Sequence, residues 1–432
     1  MLGNSRAHHG LMLCLAHLHV SGAWMGGMPL GLLKANAFSA PPLTHPGRSL
    51  HSRPLSSQRP HGRRGSRLVC SAAGGERATL VYDPQHEAHN LRGHPEKPER
   101  ATAAWEALKE TGLMDQCRII DPREATDEEL LGVHTKEHIH TVTDGSAMMD
   151  SSTYFNPAAS SQVARVAAGS VAAMTEEVMT GKARNGFCVV RPPGHHAVRH
   201  SAMGFCIYNN VAVAAQKARR ELGAERVLVF DWDVHHGNGV QDIFYEDPNV
   251  LYISVHRGGI DESYFFPGSG TLDRHGKGKG KGFTVNIPCE NVMGYTGDAL
   301  YEEVMRWIVS PVAKAFNPDL ILVSAGYDAA DGDPLGGFSL SPGCFARMTK
   351  AMMNAAPDGR LVLALEGGYN VEVTADCVCA CTRVLLGEEP PAHVLAGPHE
   401  EATALDMSNL KKIADVHREW WPSIPLERPP PP

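Results

Sequence analysis

The sequence predicts an α/β domain built on a central, mainly parallel sheet flanked by helices. Three observations lead there. The short apolar runs at 227–230, 320–323 and 361–365 do not alternate with polar residues, which marks strands buried on both faces. Longer stretches with helical patterning lie between the runs, so strand and helix alternate as right-handed crossovers require. Polar clusters at 191–197, 231–238, 328–333 and 366–370 each follow directly on an apolar run. Ligand sites in open parallel sheets lie at the carboxyl ends of strands, so these clusters should converge on one edge of one sheet.

The elements follow in order. A first strand is expected at 79–82. The loop H-N-L-R-G-H-P-E-K-P-E-R, 89–100, leads into a helix of about 15 residues from Glu99. Thr126, followed by three acids, is a helix start with an acidic first turn. Residues 157–180 are Ala-rich and suit a long helix packed closely on the sheet. A strand at 187–190 ends in R-P-P-G-H-H-A. A helix at 209–222 stops at Gly223, and a strand at 250–255 ends in His256. The Gly-rich segment 258–282 holds F-F-P-G-S-G and G-K-G-K-G-K-G. The second lacks the spacing of a phosphate loop and reads as a mobile surface loop. A strand at 283–287, a helix at 297–316 stopped by Asn317-Pro318, a helix at 341–356 and a helix at 371–386 complete one domain over 77–390. Residues 391–432 form a Pro-rich C-terminal extension, with a frayed tail expected.

Of the 432 residues, 43% are hydrophobic, enough for a sizeable core. No apolar run reaches the roughly 18 residues of a membrane span, and no membrane partner is expected. None of the ten cysteines sits in a C-x-x-C pair. The run C-V-C-A-C at 377–381 fits thiols on a buried helix better than a zinc site, and the pattern points to a reducing compartment. Residues 1–75 contain no acid and eight basic residues. That is the composition of an organellar transit peptide, placed at 1–72, with V-C-S-A at 69–72 resembling a plastid processing site. Plastid is the first expectation and mitochondrion the alternative; a disordered basic arm is the plainer reading. Without those eight cations, 32 basic residues face 48 acidic ones, a balance of −16. Such a body is a poor non-specific partner for nucleic acid.

The chemistry centres on D-W-D-V-H-H-G-N-G at 231–239. Asp231, Asp233 and His235 are spaced by two and would share a face if the strand continued. Asp233 and His235 offer an oxygen and a nitrogen, and Asp328, at another strand end, offers a second oxygen. Three protein donors with an open position suit a catalytic zinc. His195 and His196 follow a rigid Pro-Pro-Gly turn and can serve as general base and acid, with Asp231 and Asn238 as candidate orienting partners. Tyr369, in Gly-Gly-Tyr-Asn, can aim a hydroxyl at a developing oxyanion. Gly204-Phe205 and Phe265-Phe266 can form a narrow apolar tube. These parts predict hydrolysis of an amide on a long, slim substrate arm.

R-P-P-G-H-H-A, G-F-C-I-Y-N-N, D-W-D-V-H-H-G-N-G, F-F-P-G-S-G, S-A-G-Y-D-A-A-D-G-D-P-L-G-G and L-E-G-G-Y-N together resemble the zinc-dependent histone deacetylase family over about 78–390. The Trp and Asn of the third motif look like its class II branch, and the leader looks like the plastid or mitochondrial member of plants and algae. The resemblance implies the arginase–deacetylase fold, with about eight strands. It makes Asp233, His235 and Asp328 zinc ligands and His196 the general base and acid. His195 becomes the electrostatic partner oriented by Asp231, Tyr369 the oxyanion donor, and Phe205 and Phe266 the channel walls beside Gly204. Asp231 and Ser254 match a structural potassium site, together with main-chain carbonyls of Asp233, His235 and Val255. Asn238 stands where many members have Asp, which leaves His196 a neutral partner. Leu335 replaces the glutamate of the polyamine-preferring relative, which favours acetyl-lysine in proteins over acetylated polyamines. Deacetylation of small N-acetylated amines is the alternative within enzymes, and a silent scaffold is disfavoured by the complete residue set. Nothing in the sequence sets the oligomeric state.

Overall fold

In the computed structural model, residues 78–147, 149–290, 296–392 and 402–430 are described. The expected leader, 1–72, lies outside them. Eight strands form the sheet: β1 (Thr79–Tyr82), β2 (Arg118–Ile119), β3 (Asn185–Val189), β4 (Val227–Asp231), β5 (Val250–Arg257), β6 (Thr284–Cys289), β7 (Leu320–Ala325) and β8 (Leu361–Leu365). Their order is β2-β1-β3-β8-β7-β4-β5-β6, and every pairing is parallel. The expected α/β architecture is therefore present. The two-residue edge strand β2 was not anticipated, because it is exposed and carries no apolar run.

Strand order explains how the site assembles. β3, β8, β7 and β4 are consecutive in the sheet although far apart in the chain. The four polar clusters follow these four strands, so their carboxyl ends stand side by side. The strands are apolar on both faces because each face carries its own core. In β4, Leu228 and Phe230 enter one core while Val227 and Val229 enter the other. The first core lies under the helices Glu99–Glu110, Pro342–Ala355 and Val371–Leu385, and the second under Ser160–Met179 and Asn210–Glu221. Ala164, Ala167, Ala168 and Ala172 are buried on Ser160–Met179, as the Ala-rich stretch implied. Cys377, Cys379 and Cys381 are buried free thiols on their helix.

The helix from Asp298 to Phe316 is interrupted by a π-helical segment, Met305–Val309. Pro311 lies just beyond it. Proline lacks the N–H that an α-helix needs, and its ring presses on the carbonyl four residues earlier. A wider turn before it relieves both.

Two expectations need correction. The Gly-Lys segment is not a loose loop: Gly282 N–H donates to the His275 carbonyl at 2.6 Å, and Phe283 N–H to Gly280 at 3.0 Å. Gly280 lies so close to the 245–247 backbone that a Cβ would meet it at 2.7 Å. The extension after 390, expected only as Pro-rich with a frayed final E-R-P-P-P-P run, carries an element of its own. Ala404–His417 is a helix with a Thr403/Asp406 capping box, and it buries Leu410, Ile413 and Ala414. Trp421 and Ile424 are buried beyond it. Trp421 donates from its indole to the Gly282 carbonyl at 2.8 Å, and Arg428 pairs with Glu303 at 2.7 Å. The prolines fix turns between buried anchors instead of ending order. No helix among the described residues is long and apolar enough to cross a membrane.

Replacing Trp421 by Ala should cost about 3–5 kcal/mol, the range for buried large aromatics. Exposed Leu426 should tolerate the same change within about 0.5 kcal/mol. Denaturant unfolding of the two variants checks this, and equal midpoints would mean that the C-terminal segment is not part of the folding unit.

Candidate active site

Strand β4 ends at Asp231, and the expected shared face divides there. The Asp231 Oδ2 accepts from His195 Nδ1 at 3.1 Å and from the Tyr252 hydroxyl at 2.9 Å. Trp232 turns into the core. Asp233 then faces His235, whose Nδ1 lies 3.1 Å from Asp233 Oδ1 and 3.0 Å from Asp328 Oδ2. Asp328 comes from the loop after β7. The three residues offer one oxygen, one nitrogen and one oxygen, all within 4.8 Å of one another. That donor set fits a divalent ion such as zinc.

The surrounding backbone secures the carboxylates. Gly367 N–H donates to Asp233 at 2.8 Å, His235 N–H to Asp233 at 2.9 Å, and Val234 N–H to Asp328 at 2.8 Å. A Cβ at Gly367 would sit 2.2 Å from an Asp328 oxygen and 2.5 Å from an Asp233 oxygen, so only glycine permits this approach. Burial, then the Asp233 charge, raises the Asp328 carboxyl to about 7. Asp233 is driven the other way: burial opposes ionisation, but His195 and His235 hold it well below the carboxylate range.

The two adjacent histidines are set apart electrostatically. Burial works against charge on His195, yet Asp233 and Asp231 raise it to about 10. His196 is lowered well below 6.5 by burial first, then by the neighbouring His195 and His235 rings. Its Nδ1 meets the Asn238 side-chain oxygen at 2.8 Å, so in the neutral ring Nδ1 carries the hydrogen and Nε2 is left as an acceptor. The ring of Phe266 lies edge-on to His196, with centroids 5.1 Å apart. Phe205 lies edge-on to Tyr369 at 5.7 Å. Phe265, which the sequence reading left without a role of its own, stacks on His235 at 4.9 Å.

Gly204 and Phe205 both adopt positive φ, 57° and 70°. Asp150 accepts the Gly204 N–H at 3.2 Å, and Thr153 accepts the Phe205 N–H at 2.9 Å. A Cβ at Gly204 would meet the His196 ring at 2.6 Å and Phe266 at 3.0 Å. Leu335, partly exposed, is held through its N–H by Asp333. The same Asp333 accepts the backbone N–H of Tyr369 at 2.6 Å and of Asn370 at 3.2 Å. Burial pushes the Tyr369 hydroxyl well above 10. Its ring stands 4.9 Å from the Arg100 guanidinium. Ser254 lies in register beside Asp231, and both are fully buried. The Ser254 hydroxyl pairs with His256 Nδ1 at 2.8 Å. His236, beside a donor in sequence, turns away to Ser269 at 2.8 Å.

Sequence reasoning missed the supporting layer. Glu96 is gripped by Arg191 at 2.6 and 2.8 Å and by Arg100 at 3.0 Å, all three fully buried. Arg100 also donates to the carbonyls of Glu366 and Gly368 at 2.5 Å each. The Glu96/Arg100 spacing of four was visible, but nothing local shows that a charged pair at the start of a helix is buried. Tyr252 hid inside an apolar strand.

A parallel sheet whose carboxyl edge gathers three aspartates, three histidines and a phenol, with the rings of Phe205 and Phe266 beside them, is an α/β architecture carrying a candidate active site. A model of the histone deacetylase domain matches residues 94–385. The chain is 40% identical over 403 residues to Histone deacetylase 9 of Homo sapiens, covering 85% of this chain and 39% of that protein. It is 42% identical over 342 residues to Histone deacetylase 15 of Arabidopsis thaliana, covering 77% and 60%. The crystal structure of the HDA15 HD domain superposes with a TM-score of 0.74 at 38% identity, covering 81% of this chain and 97% of that one. The chain belongs to the histone deacetylase family, and these class II relatives agree with the branch read from its motifs. It spans between about two fifths and three fifths of the length of these two curated relatives.

Gly204→Ala should lower kcat by about 10²-fold, because its methyl displaces His196 and misplacement of about 1 Å costs that much. Circular dichroism should show the fold retained. Unchanged turnover would mean that the loop and the His196 ring are not in contact in solution.

Proposed function

We propose that the protein hydrolyses the acetyl amide of N6-acetyl-lysine in proteins. The observation that carries this reading is the placement of His196 beside a three-donor cation site, with Nδ1 engaged by Asn238 and its proton affinity lowered by burial. Asp233, His235 and Asp328 would hold one zinc ion. When bound, such an ion would supply Lewis-acid polarisation of the amide and of the attacking water. His196 Nε2 takes the proton of that water and later delivers it to the departing lysine nitrogen. Positively charged His195, fixed by Asp231, stabilises the negative charge that accumulates on the reacting group. Tyr369 donates its hydroxyl hydrogen to the oxyanion, and a hydroxyl held as a phenol by burial is suited to donate. Phe205 and Phe266, beside Gly204, would flank the acyl-lysine arm. Neutral Leu335 at the rim offers no attraction for a second ammonium, which supports acetyl-lysine over polyamines. Deacetylation of small arylalkylamines is the competing reading.

Asp231 with Ser254 is proposed to hold a structural potassium ion. The acid-free leader supports action on non-histone proteins of an organelle, plastid before mitochondrion. The acidic body supports acetylated proteins, not nucleic acid, as partners.

The decisive comparison gives the zinc-loaded protein, without residues 1–72, an acetyl-lysine peptide, acetylspermidine and an N-acetyl arylalkylamine side by side. The peptide should show the highest kcat/KM; a preference for either small amine would replace the substrate class. Tyr369→Phe should lower kcat by about 10²–10³-fold, the usual effect of losing an oxyanion donor, with zinc content unchanged. Asp328→Asn should instead reduce bound zinc, measured by metal analysis after dialysis. Full occupancy in Asp328→Asn would show that the carboxylate was misassigned.

A further inference from the structure

Glu366 follows β8 directly and is fully buried. Its Oε2 accepts the backbone N–H of Gly194 at 2.6 Å and of His195 at 3.1 Å. Its Oε1 is buried without a hydrogen-bond partner among the described residues. One carboxyl oxygen, a ring nitrogen of His195 and the Cys206 thiol lie within 4.8 Å of one another. The Glu366 carbonyl is held in turn by Arg100. The acid therefore braces the one turn that carries both histidines, from the strand next to β3 in the sheet. A buried carboxyl with an unpaired oxygen is a costly way to cap two amides. That cost makes sense if the direction of the turn is what it secures.

We propose that Glu366 is a positioning residue for the His195–His196 pair: by accepting both amide hydrogens of the turn, it fixes where His196 presents Nε2 to the substrate carbonyl. Burial raises this acid to about 7. Both of its protonation states keep an acceptor oxygen for the two N–H groups, so a glutamine can take its place. The kinetic part rests on the deacetylase reading; the structural part does not.

The test compares Glu366→Leu and Glu366→Gln with the parent zinc-loaded chain, by separate kcat and KM on an acetyl-lysine peptide and by hydrogen–deuterium exchange of the 191–197 segment. Glu366→Leu should lose at least about 10-fold in kcat through misplacement of the reacting groups, with KM within about twofold and zinc content unchanged. Its 191–197 amides should exchange faster. Glu366→Gln should restore kcat and protection together, a rescue that a loss of general stability would not separate from KM. The proposal is overturned if Glu366→Leu keeps parental kcat or parental exchange, or if the Gln variant is as impaired as the Leu variant. If Glu366→Leu does not fold, Glu366→Asp, one methylene shorter, takes its place with the same expectations. If the parent hydrolyses no acetyl amide, the deacetylase reading fails, and the exchange comparison still decides whether Glu366 holds the turn.

Discussion

Two carboxylates, Asp233 and Asp328, share one buried corner with the imidazole of His235, and most of the structure's demands follow from that. Isolated buried charges are expensive, so they must be hydrogen-bonded, paired with a cation or neutralised. All three responses are visible. Backbone N–H groups of Val234, His235 and Gly367 point into the corner. His195 and His235 hold Asp233 ionised, while Asp328 rises to about 7. The N–H donors come from the ends of β4 and β8 and Asp328 from the end of β7, so these strands must be neighbours. The sheet order β8-β7-β4 satisfies this, and glycine at 367 lets the chain pass. A divalent cation would complete the neutralisation.

A second buried charge group supports the first from outside. Glu96 lies between Arg191 and Arg100, one on the segment after β3 and the other on the first long helix. Arg191 also takes the carbonyls of His86 and His89 at 2.7 Å each. Arg100 reaches the carbonyls on either side of Gly367, through Glu366 and Gly368. Removing one member of such a group would leave a charge stranded, typically at a cost of about 3–5 kcal/mol. The network thus ties the 86–100 segment to the loop that aims Tyr369. Asp333 does the same from the other side, joining the Leu335 loop to the Tyr369 backbone.

The alternation of apolar runs and helices was enough to place seven of the eight strands, because strands buried on both faces leave an unbroken apolar signature. The carboxyl-edge rule predicts that Asp233, His235, Asp328, His195 and Tyr369 lie near one another, because each follows the end of a buried strand. What the sequence hid falls into two kinds. Edge strand β2 has only two residues, and the helix Ala404–His417 is a short proline-free island between proline-bearing segments at 390–398 and 422–432. Glu96, Arg100, Arg191 and Glu366 are hidden for another reason. Buried charges look like surface charges until their partners, up to 268 residues away, are known. Periodicity carries no information about such pairs.

The pair at 195 and 196 shows how position alone separates two chemically identical groups. Both rings are buried, and burial alone would keep both neutral. His195 faces two acids, Asp233 and Asp231, and their influence overcomes desolvation. His196 faces the neutral Asn238 and lies 4.0 Å, ring to ring, from a positive neighbour. An aspartate at 238 would give His196 a charged partner of its own and raise it toward the protonated form. The asparagine instead fixes the tautomer through a neutral hydrogen bond and leaves the proton affinity of Nε2 to burial and to His195. On the proposed reading, in which His196 starts unprotonated beside a neighbour held toward its charged form, an amide at 238 serves it better than a second acid would. The asparagine at 238 is therefore part of what sets the two histidines electrostatically apart.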